Sequence, residues 1–286
     1  MLLFPRPILE RATRMTVRPS LKTLLLGAVL MSSTAPVAQA ASCGSGSFDA
    51  WLTDFKAEAA GKGISQNAIA TGLNGVTLDQ AVLSRDRSQQ VFQQSFEQFS
   101  GRMVPPRLLR GSNMMKQYGS ALGRIEQAYG VPGSVLVAIW GLETDFGANI
   151  GKFSTIRSLA TLAYDCRRAE TFRAELMDAL RIVERGDLSP SEMRGAWAGE
   201  IGQTQFMPSS YIKFAVDFDG NGRRDLLRSA PDVLASTANF LAGHGWQRGK
   251  GWEPGSSNFD VIKEWNKSEV YAKTIGYFAS QLDRAP

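Results

Sequence analysis

The chain has little of several things, and each shortage excludes something. Among 286 residues there are two cysteines, Cys43 and Cys166, and one histidine. That is too few soft or imidazole ligands for a zinc centre. After the apolar run Leu24–Met31 no stretch of 18 or more apolar residues occurs, so nothing further along reads as a membrane span. Alternating apolar and polar runs long enough for a large sheet are missing, as are internal repeats. Basic runs and nucleic-acid motifs are missing too, although the whole sequence carries a formal charge of +5 and a pI of about 9.3. The first 40 residues account for most of that excess, with five basic residues (Arg6, Arg11, Arg14, Arg18, Lys22) and one acidic (Glu10). Without them the balance is about +1, which gives no electrostatic case for a nucleic-acid partner.

Residues 1–40 have the order of a secretory signal. Arg18 and Lys22 precede the apolar run, and small residues follow, ending Ala38-Gln39-Ala40. Met15 is an alternative start. The expected mature chain is residues 41–286, exported to the periplasm. In an oxidising compartment Cys43 and Cys166 can pair. Two other fates stay open: free thiols, or a lipid on Cys43 that would associate the chain with the outer membrane. Ala40-Ala41-Ser42-Cys43 partly matches a lipoprotein processing site, with alanine where leucine is usual.

With 43% hydrophobic and 21% charged residues, the mature chain reads as a folded, mainly α protein. Ser47 caps a segment with Phe48, Trp51, Leu52 and Phe55 on one helical face. Val91, Phe92, Phe96 and Phe99 share helical spacing in one segment, and residues 108–130 read as one long amphipathic stretch. Pro132 suits the first turn of the next helix. From Ser134 to Leu142 that helix is apolar nearly all round, so it is expected to be central. A helix pair then breaks near Tyr164–Arg167. A glycine-rich polar region follows, and further helices cover residues 231–245 and the tail.

Glu143 ends the apolar helix. Burial and a helix C-terminus both disfavour its charge, and a glutamate that keeps its proton near neutral pH is a general acid. Glycosidic oxygen needs such a proton to leave. The plainer alternative is a helix-end glutamate satisfied by a cap or an arginine. Asp145, two residues on, points to another face, so no paired carboxylate is evident locally.

Read together, YGVPGSVLVAIWGLETDFG, AGEIGQTQFMPSSY, VDFDGNGRRDL, STANFLAGHGW and WNKSEVYAKTI resemble, in order, the segments of the bacterial membrane-bound lytic murein transglycosylase B family. The resemblance covers nearly the whole mature chain. It implies a lysozyme-like helical transglycosylase domain with Glu143 as its single catalytic acid. It also implies cleavage of the β-1,4 bond between N-acetylmuramic acid and N-acetylglucosamine in peptidoglycan glycan strands. The muramoyl 6-hydroxyl would then close a 1,6-anhydro ring, with no cofactor required. A hydrolytic muramidase and a non-catalytic peptidoglycan-binding scaffold are the alternatives.

Gln203 and Gln205 are donor–acceptor groups suited to sugar hydroxyls and acetamides, and the resemblance places Gln205, Trp265, Asn266 and Tyr271 beside the glycan; Ser209 and Ser210 are either substrate contacts or caps of the helix that holds Tyr211. The family often has tyrosine at the position of Trp265. Arg167 and Arg168 correspond to a pair of family arginines, with Cys166 in place of a usual proline; one reads as a ligand of a substrate carboxylate or peptide stem, the other as that or as a surface partner of Asp165 or Glu170. Phe99 corresponds to an aromatic upstream of the catalytic helix. In the loop 217–228, Asp217, Asp219, Asn221 and Asp225 fall at positions one, three, five and nine of an EF-hand, and Gly222 at six. Arg228 stands where a bidentate acid is expected. A structural Ca2+ and a metal-free polar turn are the two readings of this loop.

Overall fold

A computed structural model describes residues 43–44, 46–88 and 94–284. The signal segment 1–40 lies outside them, as do Val91 and Phe92. Among the described residues are thirteen helices and one two-stranded sheet. The first six helices are α1 (Phe48–Gly61), α2 (Gln66–Leu73), α3 (Gln80–Arg87), α4 (Phe96–Met103), α5 (Pro105–Gln117) and α6 (Gly119–Tyr129). The central α7 (Gly133–Thr144) is followed by β1 (Phe153–Ser154), α8 (Thr155–Tyr164), α9 (Ala169–Glu184) and β2 (Arg194–Gly195). The chain then forms α10 (Pro208–Phe214), α11 (Ala230–Gly243), α12 (Ser257–Trp265) and α13 (Glu269–Arg284). The mainly α class expected from the sequence is the class observed. No described helix is long and apolar enough to cross a membrane.

Local sequence sets most boundaries. Ser47, Ser65, Ser154, Ser229 and Ser256 each accept a backbone N–H in the first turn of the helix they precede, satisfying donors the helix cannot. Three expectations change. Ser95 and Gln98 form a reciprocal capping box, so Phe96 and Phe99 lie on a helix that begins at Phe96. The long stretch 108–130 is two helices, α5 and α6, which meet at Tyr118 (φ −102°, ψ 13°). Gly119 follows the break, and glycine is the weakest non-proline helix former. Pro132 sits just before α7 as its cap, at φ −60° and ψ 142°, with helical geometry starting at Gly133.

Helix α7 is the axis of the fold, packed by α5, α6, α11 and α13. Its apolar character all round is the sequence signature of that position. Every α7 residue is buried except Glu143. Gly141 allows the close packing: a Cβ there would lie 2.7 Å from the Phe146 ring and 3.0 Å from that of Phe278 on α13. The Cys43 and Cys166 sulfurs form a disulfide with Cα atoms 5.1 Å apart. It ties the segment before α1 to the turn between α8 and α9, and it uses the sulfur that a thioether-linked lipid would require.

Candidate active site

Helix α7 ends on the sequence Glu143-Thr144-Asp145-Phe146. Asp145 and Phe146 adopt left-handed conformations, at φ 50° and 57°, which non-glycine residues take at a cost. Side-chain contacts fix the turn. Arg107 on α5 donates to the Gly141 carbonyl at 3.0 Å and pairs with Asp145 at 2.6 Å. Asn149 Nδ2 donates to Asp145 Oδ2 at 2.7 Å. Thr144 Oγ1 donates to the Gln203 carbonyl at 2.5 Å. The helix end that carries Glu143 is therefore anchored on both sides.

Glu143 opens into a cleft of about 340 Å³. Glu200, Thr204, Gln205, Phe206, Ser210 and Trp265 are among the other residues of its wall. One Glu143 oxygen, Oε1, accepts both the Trp265 indole N–H (2.9 Å) and the Tyr271 hydroxyl (3.0 Å). Burial is the largest influence on this carboxyl and raises it from the ordinary 4.5 to about 7. The two donors work against that rise, and the neighbouring Glu200 adds to it. Burial, with Glu143 alongside, also holds the Tyr271 phenol well above its usual range, so it stays a donor. With Oε1 occupied by two donors, Oε2 is the oxygen left to carry a proton towards the cleft.

Glu143, Trp265 and Tyr271 are thus brought into direct contact. Asn266 and Gln205 join the cleft wall. Phe99 is buried behind the site, its ring 5.9 Å from that of Tyr271. Gln205 holds a left-handed φ of 56°. Its amide is engaged by backbone: Oε1 accepts Ala196 N–H at 2.8 Å, and Nε2 donates to Ile150 O at 3.0 Å and Gly202 O at 2.6 Å.

Four other assigned residues have different surroundings. Gln203, 8% exposed, is a brace beneath the cleft: its Oε1 accepts the Trp140 indole N–H and its Nε2 donates to Leu227 O, each at 2.8 Å. Ser209 donates its hydroxyl to Glu175 at 2.6 Å, and its N–H reaches the same carboxylate at 2.9 Å. Its neighbour Ser210 is the serine that lines the cleft. Arg167 and Arg168 both pair with the buried Asp86 on α3, and neither belongs to the cleft wall. Glu200, the one acid between two glycines in AGEIGQTQFMPSSY, is a further ionisable residue of the cleft wall that was not among the expected site residues.

The acidic loop has a mixed geometry. Asp217 accepts the N–H groups of Gly220, Asn221 and Gly222. Oxygens of Asp217, Asp219 and Asp232 lie within 4.8 Å of one another. Asp232, fully buried, accepts the N–H groups of Phe218, Asp219 and Asp225. Asp225 is turned away from this group. It caps Leu227 and Arg228 and pairs with the Arg228 guanidinium at 3.3 Å. Arg228 also meets Glu192 at 2.9 Å. The position-twelve cation therefore neutralises an acid of the loop, and the carboxylate that joins Asp217 and Asp219 comes instead from Asp232, beyond the twelve-residue pattern.

Residues 47–256 match the family model described as a transglycosylase SLT domain. The chain is 40% identical over 148 residues to membrane-bound lytic murein transglycosylase B of Escherichia coli K12. That match spans 51% of this chain and 41% of the relative. The fold is similar to the crystal structure of SltB3 from Pseudomonas aeruginosa in complex with NAG-NAM-pentapeptide, with TM-score 0.79 and 32% identity over 84% of this chain and 80% of that one. It is also similar to the Escherichia coli lytic transglycosylase Slt35 in complex with calcium, with TM-score 0.72 and 26% identity over 82% and 92% of the two chains.

Proposed function

This chain belongs to the transglycosylase SLT domain family, and from that membership we propose that it is a peptidoglycan lytic transglycosylase. It cleaves the β-1,4 bond between N-acetylmuramic acid and N-acetylglucosamine and leaves 1,6-anhydromuramoyl ends. The observation that carries this reading is the Glu143 carboxyl. It lines the cleft half-buried, is raised to about 7, and is held through Oε1 by Trp265 and Tyr271.

Glu143 Oε2 gives its proton to the glycosidic oxygen as the C1–O bond breaks. The muramoyl C6 oxygen then bonds to C1, and its proton returns to Glu143. Atoms and charge balance without water, and the same carboxyl is acid and then base. Trp265 and Tyr271 stabilise the carboxylate during the interval in which it is ionised. Two similarities support the substrate: the named relative is a murein transglycosylase, and SltB3 is known with a NAG-NAM-pentapeptide.

The chain is read as exported to the periplasm, on the order of residues 18–40. It works on glycan strands without a metal, and the loop 217–228 closes on Arg228. A second reading, a muramidase that uses water, is favoured by one observation, the presence of Glu200 in the same cleft. Digestion of purified sacculi by wild type and by Glu143→Gln tests the proposal. Turnover is expected to disappear in the variant while sacculus binding persists. Unchanged turnover would overturn it.

A further inference from the structure

Glu200 reaches the cleft from a turn that is built tightly. The chain enters through β2, paired antiparallel with β1. It closes through the bridge between Ile201 and Phe206, with N–H to O distances of 2.8 and 3.0 Å. Thr155 Oγ1 donates to the Glu200 carbonyl at 2.8 Å. Gly195 lies so close that a Cβ there would sit 2.0 Å from the same carbonyl oxygen. Within the turn, Glu200 Oε2 accepts the Ala198 N–H at 2.9 Å. This acid is therefore held in place, unlike a surface glutamate free to turn to water.

Glu143 and Glu200 thus share one cleft. Among the described residues no Lys or Arg side chain forms an ion pair with either. The nearby charges are already matched. Arg107 on α5 is paired with Asp145. Glu264 on α12, also in the cleft wall, pairs with Lys267 at 2.5 Å. Tyr271 on α13 faces Glu143 as a neutral donor. Two carboxyls enclosed together without a cation resist being ionised at once. Burial raises both, most of all. The backbone N–H groups of Ala198, Gly199 and Glu200 itself favour the ionised form of Glu200, whose charge then raises Glu143 further.

We propose that Glu200 is a positioning residue for the catalytic acid: its carboxyl, fixed in the shared cleft, holds the proton on Glu143 until a glycosidic oxygen accepts it. This rests on the reading of Glu143 as the acid. It assigns Glu200 to the proton on Glu143 and not to the activation of water.

The test is the pH dependence of kcat/KM for wild type, Glu200→Gln and Glu200→Asp on soluble glycan fragments. Glutamine keeps an oxygen for the Ala198 N–H and removes the charge. The alkaline limb reports loss of the Glu143 proton. In Glu200→Gln it is expected to fall by about half a pH unit or more, with the low-pH plateau within a few-fold of wild type. Aspartate should return the limb towards its wild-type position. An unmoved limb, or an equal loss of rate at every pH, would overturn the proposal. A second measurement uses unmutated Glu200: 13C NMR of glutamate-labelled protein, with the Glu143 signal assigned by its loss in Glu143→Gln. Glu143 should titrate at higher pH than Glu200, and the reverse order would overturn the proposal even if Glu200→Gln did not fold. If Glu143→Gln turned over normally, the underlying reading of the acid would fail instead.

Discussion

The Tyr271 hydroxyl donates to Glu143 Oε1 across 3.0 Å, joining α13 to the end of α7 through residues 128 positions apart in sequence. Because the hydroxyl favours the ionised carboxylate, losing it moves Glu143 further up. In Tyr271→Phe the alkaline limb of kcat/KM is expected to shift to higher pH, opposite to the shift expected for Glu200→Gln. The rate should fall about tenfold to a hundredfold, the effect of one hydrogen bond to a charged group. Trp265→Phe should act in the same direction. A pH profile of each variant checks this, and a downward shift would contradict it.

Glu143 also affects stability. Its folded value, about 7, exceeds the ordinary 4.5. Between those pH values the unfolded chain has released this proton and the folded chain retains it, so stability falls as pH rises through the window. Above about pH 7 the cost is complete, with an upper bound of roughly 3 kcal/mol at ~1.36 kcal/mol per pH unit. Glu143→Gln is therefore expected to be inactive and more stable than wild type above pH 7, with the difference fading as the pH falls from 7 to 4.5. Thermal melts across pH measure this. Equal melting at pH 8 would show that the carboxyl is not held up by burial.

Ser209 gives a contrasting case. Its hydroxyl meets Glu175, which burial raises. Ser209→Ala should lower stability by about 1–2 kcal/mol, the scale of a lost buried hydrogen bond, and leave KM within about twofold of wild type. A raised KM with an unchanged melting temperature would return Ser209 to the substrate.

The acidic loop allows a metal test. With Arg228 on Asp225 and Glu192, wild-type melting is expected to be the same in EDTA and in millimolar CaCl2. Arg228→Glu restores an acid at the twelfth position, and its melting temperature should rise with calcium. A calcium-dependent rise in wild type would contradict the metal-free loop.

The part of this architecture legible in the sequence is the part governed locally. The α7 segment is apolar on all sides because neighbours pack on all sides of it, and the serine caps mark helix starts wherever they occur. The end of α7 pointed to Glu143 for the same reason: one carboxylate on an otherwise buried helix stands out. Apart from the Cys43–Cys166 pairing, open in the sequence as one of three fates, most side-chain partnerships across the chain were not legible. Gln203 and Gln205 read as sugar ligands, yet their amides are committed to Trp140 and to backbone groups. Arg167 and Arg168 converge on Asp86, 81 and 82 residues away. Glu200 joins Glu143 in one cleft only because the turn before α10 folds against the end of α7.

On the proposed reading, the acid's partner in the reaction is the sugar's own hydroxyl. Digestion of sacculi in 18O-labelled water, read by mass spectrometry, tests it most directly. The expected products end in 1,6-anhydromuramic acid and carry no label. Reducing muramoyl ends with one 18O atom at C1 would contradict the account and identify a water-using muramidase.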